Sequence, residues 1–480
     1  MRSVLAAGAL LALFACGSPP EVQSTDSVRA VGPKAPPLER GLATLDAGAI
    51  LSDVEFLADD VLQGRDSPSS GLSISARYFV ARMQRLGWEP GSSEGWLHPY
   101  ELTSRRLAED GVRAEFGLEG EARALAAGVE LGVHYADVSS GSWQGPLVYV
   151  GRGRERELAG LDLAGSWAVV EGQRYGRRRR LRELVQASGA LGLVLLPRDE
   201  SAEPPFERWR EMSARMRPSY PREDQAAPFP SVWFAPGVLE LPAEPEHGAE
   251  LAPRLALEIE GAGPIAMHNV AALWRGDDPD LAHELIIVSA HYDHVGVNDE
   301  GLVMNGADDN ASGSAGLLAL GEALTAYGPL DRSVLLLWVS AEELGLYGSR
   351  AWAQNPLLPE GLVPVANVNM DMIGRNAPTY FEATPSPEHE AFGPLTRSVM
   401  GHVEGEGFEG PSWVDRDWNR SDQASFYKYL EIPAVYVSCG EHEDYHEHTD
   451  TVEKIDADKI ARVIRVVLRV LDELQASPLG

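Results

Sequence analysis

Apolar residues recur at helical spacing soon after residue 45. Ile50, Val54 and Leu57 stand three and four apart, and Ser73–Leu86 is a second amphipathic run closed by Gly87. About 130 residues of short alternating apolar runs follow, among them Pro146–Val150, Ser166–Val170 and a helix–strand unit over Leu181–Leu196. From about Pro264 the texture changes to continuous apolar runs. ELIIVSA (Leu285–Ser289 at its centre), SVLLLWV (Ser333–Val339), Val363–Met370 and AVYV (Ala434–Val437) read as strands buried on both faces of a sheet. Gly313–Ala326 reads as a helix between the first two. Ile460, Val463, Ile464, Val467, Leu468, Leu471 and Leu474 make a last amphipathic helix. Strands alternating with helices predict an α/β fold, a mostly parallel mixed sheet sandwiched by helices.

The chain has 480 residues, which suggests about two or three domains. A hydrophobic fraction of 44% and a charged fraction of 24% can bury an ordinary core. The formal net charge of −31 argues against a nucleic-acid partner. Two cysteines, Cys16 and Cys439, cannot supply a disulfide framework. Met1-Arg2 and the apolar run Val4–Ala15 form a charged and then a hydrophobic region of signal-peptide length, too short to span a bilayer. The run ends Leu13-Phe14-Ala15-Cys16-Gly17, which resembles the bacterial lipobox apart from Phe14. Residues 1–16 are thus expected to be a lipoprotein-type signal peptide, with a lipid anchor at Cys16 and export to the cell envelope. An ordinary signal peptide with a secreted product is the alternative. Residues 17–44 are rich in Pro, Ser and Gly and read as a flexible stalk.

Ligand-type residues recur where the buried runs stop, the edge of an open α/β sheet where sites are built. His291-Tyr292-Asp293-His294 follows the first run. By itself it is a polar turn or a metal-binding imidazole with a carboxylate to orient it. Asp308-Asp309-Asn310 lies in a glycine-flanked loop before a helix, and is either an acidic cap or a carboxylate set between two cations. Glu342-Glu343 follows SVLLLWV. Side chains of neighbours diverge, so the two need different tasks: one can bind a metal, and the other can take a proton from a water that the metal activates. Asp371 sits among apolar residues, where a carboxylate needs a partner or a metal. His446 and His448 stand among carboxylates before the last helix, and chemistry alone does not choose between them. Imidazole and carboxylate without thiolate suit zinc.

In this order the motifs HxD, DDNASG, AEELGLxGS, NMDM and YHxxxDT resemble the di-zinc aminopeptidases related to bacterial leucyl aminopeptidase, aminopeptidase Y and glutamate carboxypeptidase. The resemblance covers most of residues 47–475. It implies two Zn2+ ions per chain, held by His291, Asp309, Glu343, Asp371 and His446. Asp309 rather than Asp308 would bridge, and the bond after it would be cis. Glu342 would be the general base and Asp293 the partner of His291. Gln423 departs from the family's usual Ser-Asp-His segment, and Glu447 from its usual Thr; neither departure touches the metals. The runs LDLAGSWAVV (161–170) and LVQASGALGLVL (184–195) resemble the protease-associated domain, which is commonly inserted in this family. The expected organisation is therefore a peptidase domain over 45–128 plus 262–476, with a β-rich insertion over 129–261. The activity implied is that of an aminopeptidase on peptide or protein substrates. A carboxypeptidase or a glutaminyl cyclase-like enzyme is possible on the same scaffold. A non-catalytic binding protein would be expected to have lost ligands, and here all five remain with Glu342.

Overall fold

A computed structural model describes residues 35–104, 107–133, 140–173, 179–197, 218–220 and 229–475. The signal peptide, Cys16 and most of the expected stalk lie outside them. The first sheet has nine strands, and its centre positions the site. Five strands run side by side: β1 (Pro264–Trp274), β2 (Glu284–His291), β3 (Ser333–Val339), β4 (Val363–Met370) and β5 (Ala434–Ser438), in the order β1-β3-β2-β4-β5. The pairs β2–β3, β2–β4 and β4–β5 are parallel, and β1 joins β3 antiparallel. Chain order reverses around β2, with β3 on one side and β4 on the other. Clefts for ligands open at the carboxyl ends of strands at such a reversal.

The alternation inside the strands decides how the sheet is covered. Ile286, Val288, Val334, Leu336, Trp338, Ala366, Val368, Val435 and Val437 face one core. There they meet helices α1 (Pro37–Leu42), α2 (Ala47–Leu57), α3 (Ser70–Leu86), α4 (Gly313–Tyr327) and, at the chain's end, α7 (Ala457–Leu474). Leu285, Ile287, Leu335, Leu337 and Val339 face the other core, with Trp352 of α5 (Tyr347–Gln354) and Phe426 of α6 (Gln423–Leu430). Both faces are dry, which is why these strands read as continuous apolar runs. Each fully buried aliphatic side chain contributes about 1.5–3 kcal/mol relative to leaving it in water. Helix α3 starts on Ser69, whose side chain accepts the Leu72 N–H, and ends on Gly87 at φ +85°.

Three expectations need correction. The stalk does not reach residue 44, because Pro37–Leu42 is helical and seats Leu38 and Leu42 on the core. A Pro at a helix start and two leucines four apart outweigh the composition there. The antiparallel β1 was not expected; it runs from Pro264 across the point where the texture changes. The second sheet, of eight strands, already includes Leu107–Gly117, upstream of the expected boundary at 129, because that strand pairs with Glu250–Gly261. Ala434–Ser438, Ser333–Val339 and Val363–Met370 lie where the apolar runs placed strands.

Candidate metal centre

His291 is the last residue of β2, and its side chain is buried. Its Nε2 lies 3.1 Å from Asp371 Oδ1 and 3.3 Å from Asp309 Oδ1. Its Nδ1 faces the backbone carbonyl of Asp293 at 3.2 Å, while the Asp293 carboxylate stands 3.9 Å away. The carboxylate expected to orient the ring is thus replaced by the same residue's carbonyl. That carboxylate is occupied elsewhere: it accepts the Ser67 hydroxyl at 3.1 Å and the Glu342 backbone N–H at 3.1 Å. A carbonyl only accepts, so Nδ1 carries the hydrogen and Nε2 points at two carboxylates. A proton or a cation must stand between them.

Asp309 sits in the turn ahead of α4, and the Asp309–Asn310 bond is cis, as the resemblance implied. Its carboxylate divides two groups. Oδ1 faces His291. Oδ2 lies 3.1 Å from His446 Nε2 and 3.6 Å from His294 Nδ1. Glu343 Oε1 completes the second group, 3.0 Å from His294 Nδ1 and 3.1 Å from His446 Nε2. Two sets of donor atoms result, His291–Asp309–Asp371 and His294–Asp309–Glu343–His446, each with its atoms within 4.8 Å of one another.

The turn of Asp309 is held from behind. The Asp450 carboxylate accepts the backbone N–H groups of Asp308 and Asp309 at 3.0–3.1 Å. Asp308 itself points away and accepts the Gly374 N–H at 2.6 Å, so the bridging place falls to Asp309. Asp371 follows β4 directly, and its Oδ2 accepts the Ser421 hydroxyl at 2.7 Å, which leaves Oδ1 for His291. Tyr445 stacks on His446 with ring centroids 3.9 Å apart. His448 is exposed and outside both groups. Ala341, Met372 and His446 hold φ of +54°, +55° and +57°. Such conformations cost about 1–3 kcal/mol each, and here they fall in turns that carry ligand-type residues.

The electrostatics ask for positive charge. Burial works against the ionised form of Asp309, yet the imidazoles around it hold its carboxyl well below the usual range. His446 is pushed up to about 10: burial opposes its charge, but Asp309 and Glu343 outweigh it. Glu342 goes the other way, raised well above the usual range by burial and, against the pull of His291, by Glu343, Asp422 and Asp371. One cation is built in. Arg65 is buried, and burial pulls its guanidinium down to about 10 against the pull of Asp309, Asp450 and Asp293. It donates to the carbonyls of Tyr292 (3.0 Å), Asn305 (2.8 Å), Gly306 (2.9 Å) and Leu57.

The residues fit metal ions. Glu343 Oε1, His446 Nε2 and both ring nitrogens of His294 are buried and have no hydrogen-bond partner despite their close contacts. Donors aimed at a common point rather than at each other have this geometry. Ligands about 2.0–2.1 Å from a tetrahedral ion stand about 3.3 Å apart, close to the separations observed. A cleft reaches the first group and is lined by His291, Asp309, Glu342, Asp371, Tyr436 and Tyr445, and also by Glu382, Arg416, Asp417, Arg420 and Glu441. Gln423 is not on this wall; it donates to Trp418 O at 2.8 Å and accepts from Asn369. The five expected ligands and Glu342 are therefore brought together. His294, Arg65, Ser421 and Asp450 belong to the same assembly and were given no role from the sequence.

Comparison with known proteins bears on the same segment. The profile of Peptidase family M28 matches residues 269–471, which contain both donor groups and Glu342. The chain is 33% identical to leupeptin-inactivating enzyme 1 of Streptomyces exfoliatus over 175 residues, 36% of each chain. It is 23% identical to a probable glutamate carboxypeptidase of Arabidopsis thaliana over 374 residues, 66% of this chain and 51% of that protein. It thus spans between about a third and half of these relatives' lengths. Among solved structures, the aminopeptidase from Aneurinibacillus sp. strain AM-1 superposes with a TM-score of 0.51 at 20% identity, covering 92% of this chain and 97% of that one. A zinc aminopeptidase from Bacillus subtilis gives 0.50 at 18% identity, covering 91% and 97%. The fold is shared over nearly the whole of both, and the profile match spans both donor groups and Glu342.

Proposed function

We propose that the protein is a zinc-dependent exopeptidase, an aminopeptidase that removes N-terminal residues from peptides with two zinc ions at the paired donor groups. The observation that carries this reading is the Asp309 carboxylate, one oxygen turned to His291 and the other to His446 and His294. His291, Asp309 and Asp371 would hold one ion, and Asp309, Glu343 and His446 the other. Two such ions would activate a water and hold the charge that develops on the peptide carbonyl oxygen.

The chain's own residues do the rest. Glu342 lines the cleft beside His291 and Asp371, and its backbone N–H is tied to the Asp293 carboxylate at 3.1 Å. From there it takes the water's proton and returns it to the leaving amine. Arg65 balances the acidic surroundings without entering the cleft. The carboxylates of Glu382, Asp417 and Glu441 line the same cleft and suit a free α-amine. Arg416 and Arg420 line it too, and favour a second reading as a carboxypeptidase that grips a terminal carboxylate. Arg420 is paired with Asp417 at 2.9 Å and Glu441 at 2.7 Å, so groups on both sides of that choice are engaged with each other. The strands of 107–261 are proposed to be the protease-associated insertion and to shape access. Residues 1–16 are proposed to export the protein and anchor it through Cys16.

The test is an assay of the zinc-loaded protein on aminoacyl-nitroanilides, beside a panel of peptides blocked at either end. Hydrolysis that needs a free amine supports the aminopeptidase. A need for a free carboxylate instead turns the assignment to the carboxypeptidase. Glu342→Gln should lower kcat by about 10²–10⁴-fold while zinc uptake stays the same. Full activity in that variant would remove Glu342 from the mechanism.

A further inference from the structure

We infer that His294 is a fourth protein ligand of the second cation position, so that this position offers one protein donor more than the first. The inference rests on the two-zinc reading above. His294 is fully buried, and neither of its ring nitrogens has a hydrogen-bond partner. Its Nδ1 nevertheless stands 3.0 Å from Glu343 Oε1 and 3.6 Å from Asp309 Oδ2. A histidine whose task was to hold Glu343 would share a hydrogen bond with it. Here the contact lacks hydrogen-bond geometry, and Glu343 Oε1 and His446 Nε2 are likewise without partners. Three unpartnered buried atoms and Asp309 Oδ2 surround one point.

The surroundings are built for this ring. Gly306 has φ +56°, and a Cβ there would fall 2.5 Å from His294 Cγ, so the glycine makes the room that the imidazole fills. The backbone N–H of His294 donates to the carbonyl of Arg65 at 3.3 Å, which fixes the residue's entry into the cluster. Its ring meets that of His446 edge to face, with centroids 5.4 Å apart.

The two positions then differ in the number of protein donors. The second group supplies two nitrogens and two oxygens, a full tetrahedron of protein donors. The first group has three protein ligands, His291, Asp309 and Asp371. All three line the cleft, and His294, Glu343 and His446 do not. The second ion should therefore be the tighter and the slower to exchange.

Zinc titration of the metal-free protein and zinc X-ray absorption spectroscopy test this. Wild type loaded with one equivalent should show about two imidazoles on its ion, those of His294 and His446. His294→Gln should weaken the tighter of the two zinc sites by at least about tenfold and leave the other unchanged. One imidazole per zinc in singly loaded wild type would overturn the inference whether or not the variant folds. So would unchanged affinities in a folded His294→Gln. A wild-type protein that takes up no zinc would instead bring down the two-zinc reading itself, and this inference with it.

Discussion

Arg65 shows how much a single side chain can hold. Its guanidinium gathers four carbonyls from segments up to 241 residues away, among them Tyr292 beside His291 and Gly306 ahead of Asp309. Removing it leaves buried acceptors unmade and an acidic cluster without its fixed cation. Arg65→Met should cost about 3–5 kcal/mol of stability in the metal-free protein, read by urea unfolding. A change below about 1 kcal/mol would mean that the arginine is not the fixed cation of the cluster. Arg65 could not be singled out from the sequence, since an arginine between Gly64 and Asp66 looks like a solvated turn. His294 was visible as part of His-Tyr-Asp-His, but which of its atoms would meet Glu343 depends on a turn 49 residues on, which no local pattern reports. By contrast His291, the pairs Asp308-Asp309 and Glu342-Glu343, and Asp371 were legible because each follows or opens a run whose burial was itself legible. Cys439 is buried, with a free thiol pushed up to about 12 by desolvation.

At the level of elements, the site is a set of turns at the ends of strands, and the turns are more demanding than the strands. The loop of Asp309 is clamped by Asp450 in front of α7 and by Gly374 after β4, so three separate segments decide the place of one carboxylate. Gly306 is the tightest point. A methyl group there would meet Asp309 O at 2.1 Å as well as the His294 ring, at a φ of +56° that disfavours a side chain. Gly306→Ala should lower the melting temperature and weaken zinc binding together, because relief of the clash moves both Asp309 and His294. A variant with wild-type zinc affinity would show that the loop adapts without moving the ligands. The elements themselves were mostly legible: α7 carries its apolar residues at helical spacing, and β3 is apolar throughout. The antiparallel β1 and the helix α1 were not, because the identity of each depends on a partner. For β1 it is β3, and for α1 the face of α4.

For the whole molecule, folding and metal binding should be coupled. The donor groups join segments after β2, β3 and β4 and before α7, so an ion held there ties together residues from 291 to 446. An ion that binds only the folded chain stabilises it by mass action, by about 4 kcal/mol at a free concentration a thousand times its dissociation constant. Chelation should therefore lower the melting temperature, and excess zinc should restore it. An unchanged melting curve after complete removal of metal would separate the site from the fold. The net charge of −31 leaves the molecule with a general pull on cations, which raises encounter rates without choosing the site.

The sequence by itself determined the fold class, the places of four buried strands along the chain and the chemical types of the ligands. Short continuous apolar runs rich in Val, Ile and Leu suit strands covered on both sides, and carboxylates and imidazoles at their ends suit metal binding or proton transfer. Only the tertiary structure decided how those ligands are shared. It split one carboxylate between two groups and gave the His291 ring to the Asp293 carbonyl rather than to its side chain. It also added His294 to the second group and placed Arg65 behind the site. These are matters of distance and direction between segments far apart in the chain, and they are settled by packing rather than by any local pattern of residues.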